Sequence, residues 1–280
     1  MKIDLHIHTT ASDGRATPTE VVYRAAELEM KAIAITDHDS VEGIEEALAE
    51  ARKFPKLLVI PGVELGADVP NGEMHILGYF VDHYSAEFCH KLEMLRSSRA
   101  TRGQKMVSKL IKLGIHLNWE HVISISAGAS IGRPHIAQAM LERGFISSLQ
   151  EAFDKYIGDN GPCYVDREKL TPAECVELVA KTGGLPVLAH PAKTDDMDAV
   201  LPQLKQSGLI GMEVYYKNYP QKTQKRLLKI ANKHGLVGCG GSDYHGFEDT
   251  SNNIGNCNVP QETIDRLIAL QRDRYNRNTL

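Results

Sequence analysis

The chain has 280 residues, 42% of them hydrophobic and 24% charged, with a net charge of -4. That is enough for one large domain, or for a main domain carrying an insertion. No apolar run approaches the roughly 20 residues of a membrane span, and no basic excess points to bulk nucleic-acid binding, which leaves a nucleotide-sized ligand open.

The sequence opens MKIDLHIH, passing into a strand-like run without a secretory signal, and its five cysteines (Cys89, Cys163, Cys175, Cys239 and Cys257) contain no CxxC pair. Both features predict a cytoplasmic protein with reduced thiols. After the first strand, Thr17 and Glu20 form a capping-box pattern with Pro18 at the first helical position. KAIAITDHD, SVEGIEEALAEARK and KLLVIPGVEL continue as strand, helix and strand, and MHILGYF follows after only a turn-like GADVPNGE. The second half resumes with a helix capped by Thr171 and Glu174, then LPVLAHP, a helix near 195–206, LIGMEVYY, a helix near 219–234 and GLVGCGGSDYH. Val/Ile/Leu-rich strands alternating with helices predict an α/β fold whose parallel sheet is buried on both faces, closed as a barrel. A last helix near 260–276 has an apolar face sufficient to pack on that barrel.

Residues 85–165 interrupt the rhythm. They read as a mainly helical insertion, leaving 1–84 and 166–280 as the barrel. Its first helix, near 86–113, carries Lys91, Arg96, Arg99, Arg102, Lys105, Lys109 and Lys112, with charges that walk around the helix. A solvated face is the plain reading; contact with phosphate or RNA is the sharper one. Later in the insertion, SIGRPHIAQAMLERG places Arg133 and His135 on either side of Pro134 at a helix start, with Gly144 at its end. A helix N-terminus favours an anion, and a guanidinium there can grip phosphate. A plain helix cap with a surface arginine fits the spacing equally well. Arg167 and Lys193 are weaker anion candidates, read first as surface residues.

Chemistry in a parallel barrel gathers at the carboxyl ends of its strands. His6 and His8 end the first strand on one face, and Asp13 follows. Asp37, His38 and Asp39 end the second, Glu64 the third; His75 opens the fourth, and His190 closes the fifth. Glu213, Tyr215 and Tyr216 lie near the end of the sixth, and Asp243, Tyr244 and His245 end the seventh. One such histidine alone would be a satisfied hydrogen-bonding residue, and the tyrosines read as core. So many titratable groups together, without a counter-charge, would be very costly to bury. Divalent cations remove that cost, and a donor set of imidazole and carboxylate without thiolate suits Mn, Fe or Zn in a hydrolytic site.

In this order HxH, TDH, GxE, a lone His, HP and GSDxH resemble the PHP family, named for its polymerase and histidinol phosphatase members. The resemblance implies a distorted (β/α)7 barrel and a metal-dependent phosphoesterase with two or three divalent ions, manganese first and iron or zinc as alternatives. It implies that His6, His8, Glu64 and Asp243 hold one ion. Glu64 would bridge to a second held with His75 and His190, and Asp13, His38 and His245 would hold a third. Asp13, His38 and Glu64 carry the catalytic assignment among these. Asp37 and Asp39 either orient a ligand or cap the following helix. The GRPH stretch and FDKYIGDNGPCYV look like a subgroup acting on nucleoside 3′,5′-bisphosphates, some of whose members trim RNA from its 5′ end. That likeness makes Arg133 and His135 substrate-binding candidates. The expected partner is a small nucleotide, with short RNA added if the basic helix faces the same groove; no membrane or obligate protein partner is implied. A histidinol-phosphate type phosphatase is the first alternative. A metal-dependent amidohydrolase is the second, disfavoured because no lysine ends any of the seven strands.

Overall fold

The computed structural model describes residues 2–69, 72–159, 161–166, 170–194, 197–246 and 253–278. Arg167 falls outside them, and the Lys193 side chain is likewise not described. Seven strands lie in sequence order: β1 (Lys2–Ile7), β2 (Met30–Ile35), β3 (Leu58–Val69), β4 (Gly72–Tyr79), β5 (Leu185–Leu188), β6 (Gly211–Glu213) and β7 (Val237–Cys239). Beyond β7 the chain returns to β1: Leu5 N donates to Gly240 O, Tyr244 N to His6 O and His8 N to Tyr244 O. These bonds curl the sheet into the distorted (β/α)7 barrel, and the class is α/β.

The sheet is not parallel throughout. β4 runs antiparallel to both β3 and β5, while the other neighbours are parallel. The short connection between β3 and β4 has no room for a crossover helix, so it can only make a hairpin. The reversal also explains the place of His75. On a reversed strand the early residues, not the last ones, lie beside the carboxyl ends of their neighbours.

Ile3 and Leu5 of β1, Ala32 and Ala34 of β2, Ile60 of β3, Leu77 and Tyr79 of β4, Leu185 and Val187 of β5 and Val237 and Cys239 of β7 meet in one buried cluster. Residues from opposite strands can meet this way only inside the barrel. Ile264 and Leu267 of α10 (Gln261–Asn278) join the same cluster and cover it. Around the sheet run α1 (Pro18–Glu27), α2 (Ile44–Ala51), α7 (Pro172–Lys181), α8 (Met197–Gln206) and α9 (Gln221–Lys233). Both capping boxes form: the Thr17 and Thr171 side chains accept from the main chain of Glu20 and Glu174, whose carboxylates accept in return.

Between β4 and α7 lie α3 (Ala86–Lys112), α4 (Trp119–Ser126), α5 (Arg133–Glu142), α6 (Leu149–Ala152) and a π-helical turn at Phe153–Ile157. They share a core of their own, including Met106, Leu110, Val122, Ile136, Met140 and Ile157. Four of the basic residues on α3 serve internal contacts. Arg96 pairs with Glu42 and Glu93, Arg99 with Asp39, Arg102 donates to Val165 O and Lys109 to Tyr164 O. None of the described helices is long and apolar enough to cross a membrane, and none of the five cysteines is in a disulfide.

Candidate metal centre

The barrel mouth collects the histidines and carboxylates of seven separate segments. His6 and His8 are fully buried at the end of β1, and Glu64 is 1% exposed within β3. Three groups of donor atoms, each within 4.8 Å of one another, are His6, His8, Glu64 and Asp243; His8, Asp13, His38 and His245; and His38, Glu64 and His75.

Glu64 stands at the centre. Its Oε2 is 3.1 Å from Nε2 of both His6 and His8 and 3.3 Å from His38 Nδ1. Its Oε1 lies 2.7 Å from His75 Nδ1 and 3.1 Å from His190 Nε2. Asp243 Oδ1 is 3.4 Å from His6 Nε2 and 3.2 Å from His8 Nε2. On the other side Asp13 meets His245 at 3.3 Å, His8 at 3.7 Å and His38 at 3.9 Å. The residues expected as ligands therefore lie in one continuous cluster. His8 contributes to two groups, His38 stands beside Glu64 and His75, and His190 reaches the same Glu64 Oε1 as His75 does.

The residues fit divalent cations. Glu64 Oε2 and His38 Nδ1 are buried without a hydrogen-bond partner, although basic and acidic atoms crowd round them. The nearest approaches thus aim lone pairs at common points, which suits a shared cation better than a proton.

Electrostatics agree. Burial opposes charge on Glu64, but His6, His38 and His75 hold its carboxyl well below the usual range. Burial is likewise outweighed at Asp13, by His38, His245 and His8, and at Asp243, by His6 and His245. Burial disfavours the imidazolium of His8, yet Asp243 and Glu64 raise it to about 10; Glu64, Glu213 and Asp243 likewise lift His6 well above its ordinary value. Burial pushes His38 the other way, down to about 3.

A second layer fixes these groups. Asp37 accepts from Thr9 N, Thr9 Oγ1 and Ser12 Oγ at 2.7, 2.8 and 2.6 Å, and so shapes the loop that carries Asp13. Asp39 pairs with Arg99 of α3. Neither aspartate caps α2, whose cap is Gly43. Three residues at the end of β6 enter here: Glu213 and Tyr216, which the sequence reading placed there without a role, and Lys217, which it did not name. Tyr216 donates to Asp243 Oδ2 at 2.7 Å, and Lys217 Nζ is 3.3 Å from the same oxygen, which leaves Oδ1 toward the histidines. Glu213 touches His6 and the His190 main chain. Their sequence signal is position, Glu213 as the last residue of β6 and Tyr216 and Lys217 just beyond it. Gly241, of the GSD stretch, has a legible reason: a Cβ there would lie 2.3 Å from His6 Cβ.

Gly132 caps α5 beside Asp13. His135 turns its Nδ1 back to accept from Gly132 N at 2.9 Å, and burial lowers its pKa. Arg133 forms an ion pair with Asp159 at 2.7 Å and lies over the rings of Phe153 and Tyr164. A cavity of about 410 Å³ runs between Asp13, Arg15, Pro134, His135 and Gln138.

The chain is 33% identical to the 5′-3′ exoribonuclease Rnm of Escherichia coli over 86% of its own length and 84% of the relative's. It is 30% identical to the 3′,5′-nucleoside bisphosphate phosphatase of Chromobacterium violaceum, with 90% of each chain aligned. The crystal structure of a proposed metal-dependent phosphoesterase from Bifidobacterium adolescentis superposes with a TM-score of 0.87 at 28% identity, covering 96% of both chains. The sequence profile of the PHP domain matches residues 4–158, from the first strand through the helices that border the cluster. With histidines and carboxylates gathered at the mouth of the same barrel, the chain belongs to the PHP domain family, a family of metal-dependent phosphoesterases.

Proposed function

We propose that this protein hydrolyses a phosphate monoester of a nucleotide, with the 3′-phosphate of a nucleoside 3′,5′-bisphosphate as the reacting group. Water attacks phosphorus, the P–O bond to the 3′ oxygen breaks, and inorganic phosphate and a nucleoside 5′-monophosphate are released. Short RNA attacked from its 5′ end is the further substrate class, as the exoribonuclease relative suggests.

The proposed ligands are His6, His8, Glu64 and Asp243 for one ion, Glu64, His75 and His190 for a second, and Asp13, His38 and His245 for a third. Manganese is the first choice among divalent ions. When bound, such ions lower the pKa of water and offset charge on phosphoryl oxygens. The chain's own groups do the rest. Glu64, Asp13 and Asp243 stay ionised and fix positions in the cluster. Arg133 and the N-terminus of α5 bind the second phosphate, with Arg133 exchanging Asp159 for it. His135 ties that helix start in place. The cytoplasm is the proposed compartment, where five thiols stay reduced.

One observation carries this reading: the first turn of α5 lies directly against Asp13, so a phosphate held by the cluster and one held by the helix belong to one small molecule. Phosphate release should be measured from a nucleoside 3′,5′-bisphosphate, p-nitrophenyl phosphate and histidinol phosphate, with Mn²⁺ and with chelator. Mn²⁺-dependent preference for the bisphosphate is expected. Preference for histidinol phosphate would transfer the reading to that type of phosphatase, and no release from any substrate would end it.

A further inference from the structure

Glu213 belongs to none of the donor groups, yet it touches two of the proposed ligands. It is the last residue of β6 and is fully buried. Its Oε1 is 3.2 Å from His6 Nδ1, and its Oε2 accepts the main-chain N–H of His190 at 2.6 Å. The two residues are far apart in sequence, yet their rings stack with centroids 5.9 Å apart.

Each contact meets a need. His190 holds φ 26° and ψ 54°, a left-handed conformation that a residue with a side chain adopts at a cost. A buried acceptor on its N–H holds it there. His6 must offer a bare Nε2 to the group it forms with His8, Glu64 and Asp243. A carboxylate has only acceptors, so facing Nδ1 it keeps a ring proton on that nitrogen and makes Nε2 the one a cation can take.

We infer that Glu213 is a positioning residue, which sets the tautomer of His6 and the backbone of His190 so that both side chains are ready to ligate. The inference rests on His6 and His190 being ligands, as proposed above. It deepens that reading, because one buried carboxylate then couples the donors of two different ion positions.

The test is Glu213→Gln, which keeps the shape. Its amide oxygen must take the His190 N–H, so its NH₂ faces His6 Nδ1. The ring proton then moves to Nε2, toward the cluster. Mn²⁺ affinity of the folded fraction, read from the electron spin resonance signal of free Mn²⁺, should fall at least roughly tenfold. A lower melting temperature with unchanged affinity in the folded fraction would mean packing alone and would overturn the inference. Should the variant not fold, the wild type still decides. Nitrogen-15 NMR of the Zn²⁺-loaded protein should show a slowly exchanging proton on His6 Nδ1; a bare Nδ1 overturns the inference. A wild type that takes up no Mn²⁺ at all would sink the metal-site reading itself. Uptake by the wild type with equal uptake by the variant would sink the role of Glu213 alone.

Discussion

Asp13 and Gly132 meet where the helical segment touches the barrel: a Cβ built on Gly132 would stand 3.1 Å from Asp13 Oδ2 and 3.1 Å from Pro134 Cδ. The φ of Gly132 is -113°, an ordinary value, so space and not backbone strain is the constraint. Gly132→Ala must push the Asp13 carboxylate or the start of α5 by a few tenths of an ångström. We expect kcat/KM for phosphate release to fall by roughly tenfold, since small misplacements at a reacting centre are costly, with little change in melting temperature. Unchanged kinetics would show that the carboxylate has room to move.

Arg133 tests the second phosphate. Its partner Asp159 is half exposed, so that pair is cheap to exchange. Arg133→Ala should raise KM for a nucleoside 3′,5′-bisphosphate by roughly 10- to 100-fold, the worth of a charge-assisted hydrogen bond. p-Nitrophenyl phosphate has no second phosphate, so its KM should hardly move. Equal losses on both substrates would count against a specificity role.

Asp39 and Arg99 form a buried ion pair between the loop after β2 and α3. Arg99→Leu leaves the Asp39 carboxylate without its guanidinium and should cost about 3–5 kcal/mol in urea unfolding. The double variant Asp39→Asn/Arg99→Leu should recover most of that loss. The Arg99 charge also helps hold His38 down, so its removal shifts the His38 pKa upward. Full additivity of the two substitutions would show that the pair contributes nothing as a pair.

Proton linkage gives a pH prediction. His8 is raised to about 10 and His6 well above its ordinary value by neighbouring carboxylates that outweigh burial. A raised imidazole pKa stabilises the fold fully below the unfolded value near 6.5, and that contribution is lost as pH climbs through the folded value. Melting temperature of the metal-free protein should therefore decline between pH 7 and 10. A cation must displace the same protons, so Mn²⁺ affinity should rise over this window, by roughly tenfold per pH unit for each proton displaced. Calorimetric titration in buffers of different ionisation enthalpy would count those protons; no release would contradict the linkage.

Much of this protein is legible in its sequence because the deciding forces are local. Capping boxes at Thr17 and Thr171 follow from three-residue spacing, and β1 can be read from a short apolar run ending in HIH. The ordered motifs from His6 to His245 mark the family, because each is a short run placed at one strand end. What the sequence did not decide is who meets whom across the barrel. β4 runs opposite to its neighbours, and only that direction brings His75 onto Glu64. Glu213 lies 207 residues from His6, and Lys217 is paired with Asp243 by closure of the barrel. Asp39 finds Arg99, and Arg133 finds Asp159, through contacts that no spacing encodes. Residue chemistry fixes which groups are able to share a cation or a proton; strand direction and barrel closure set the few-ångström distances at which they do.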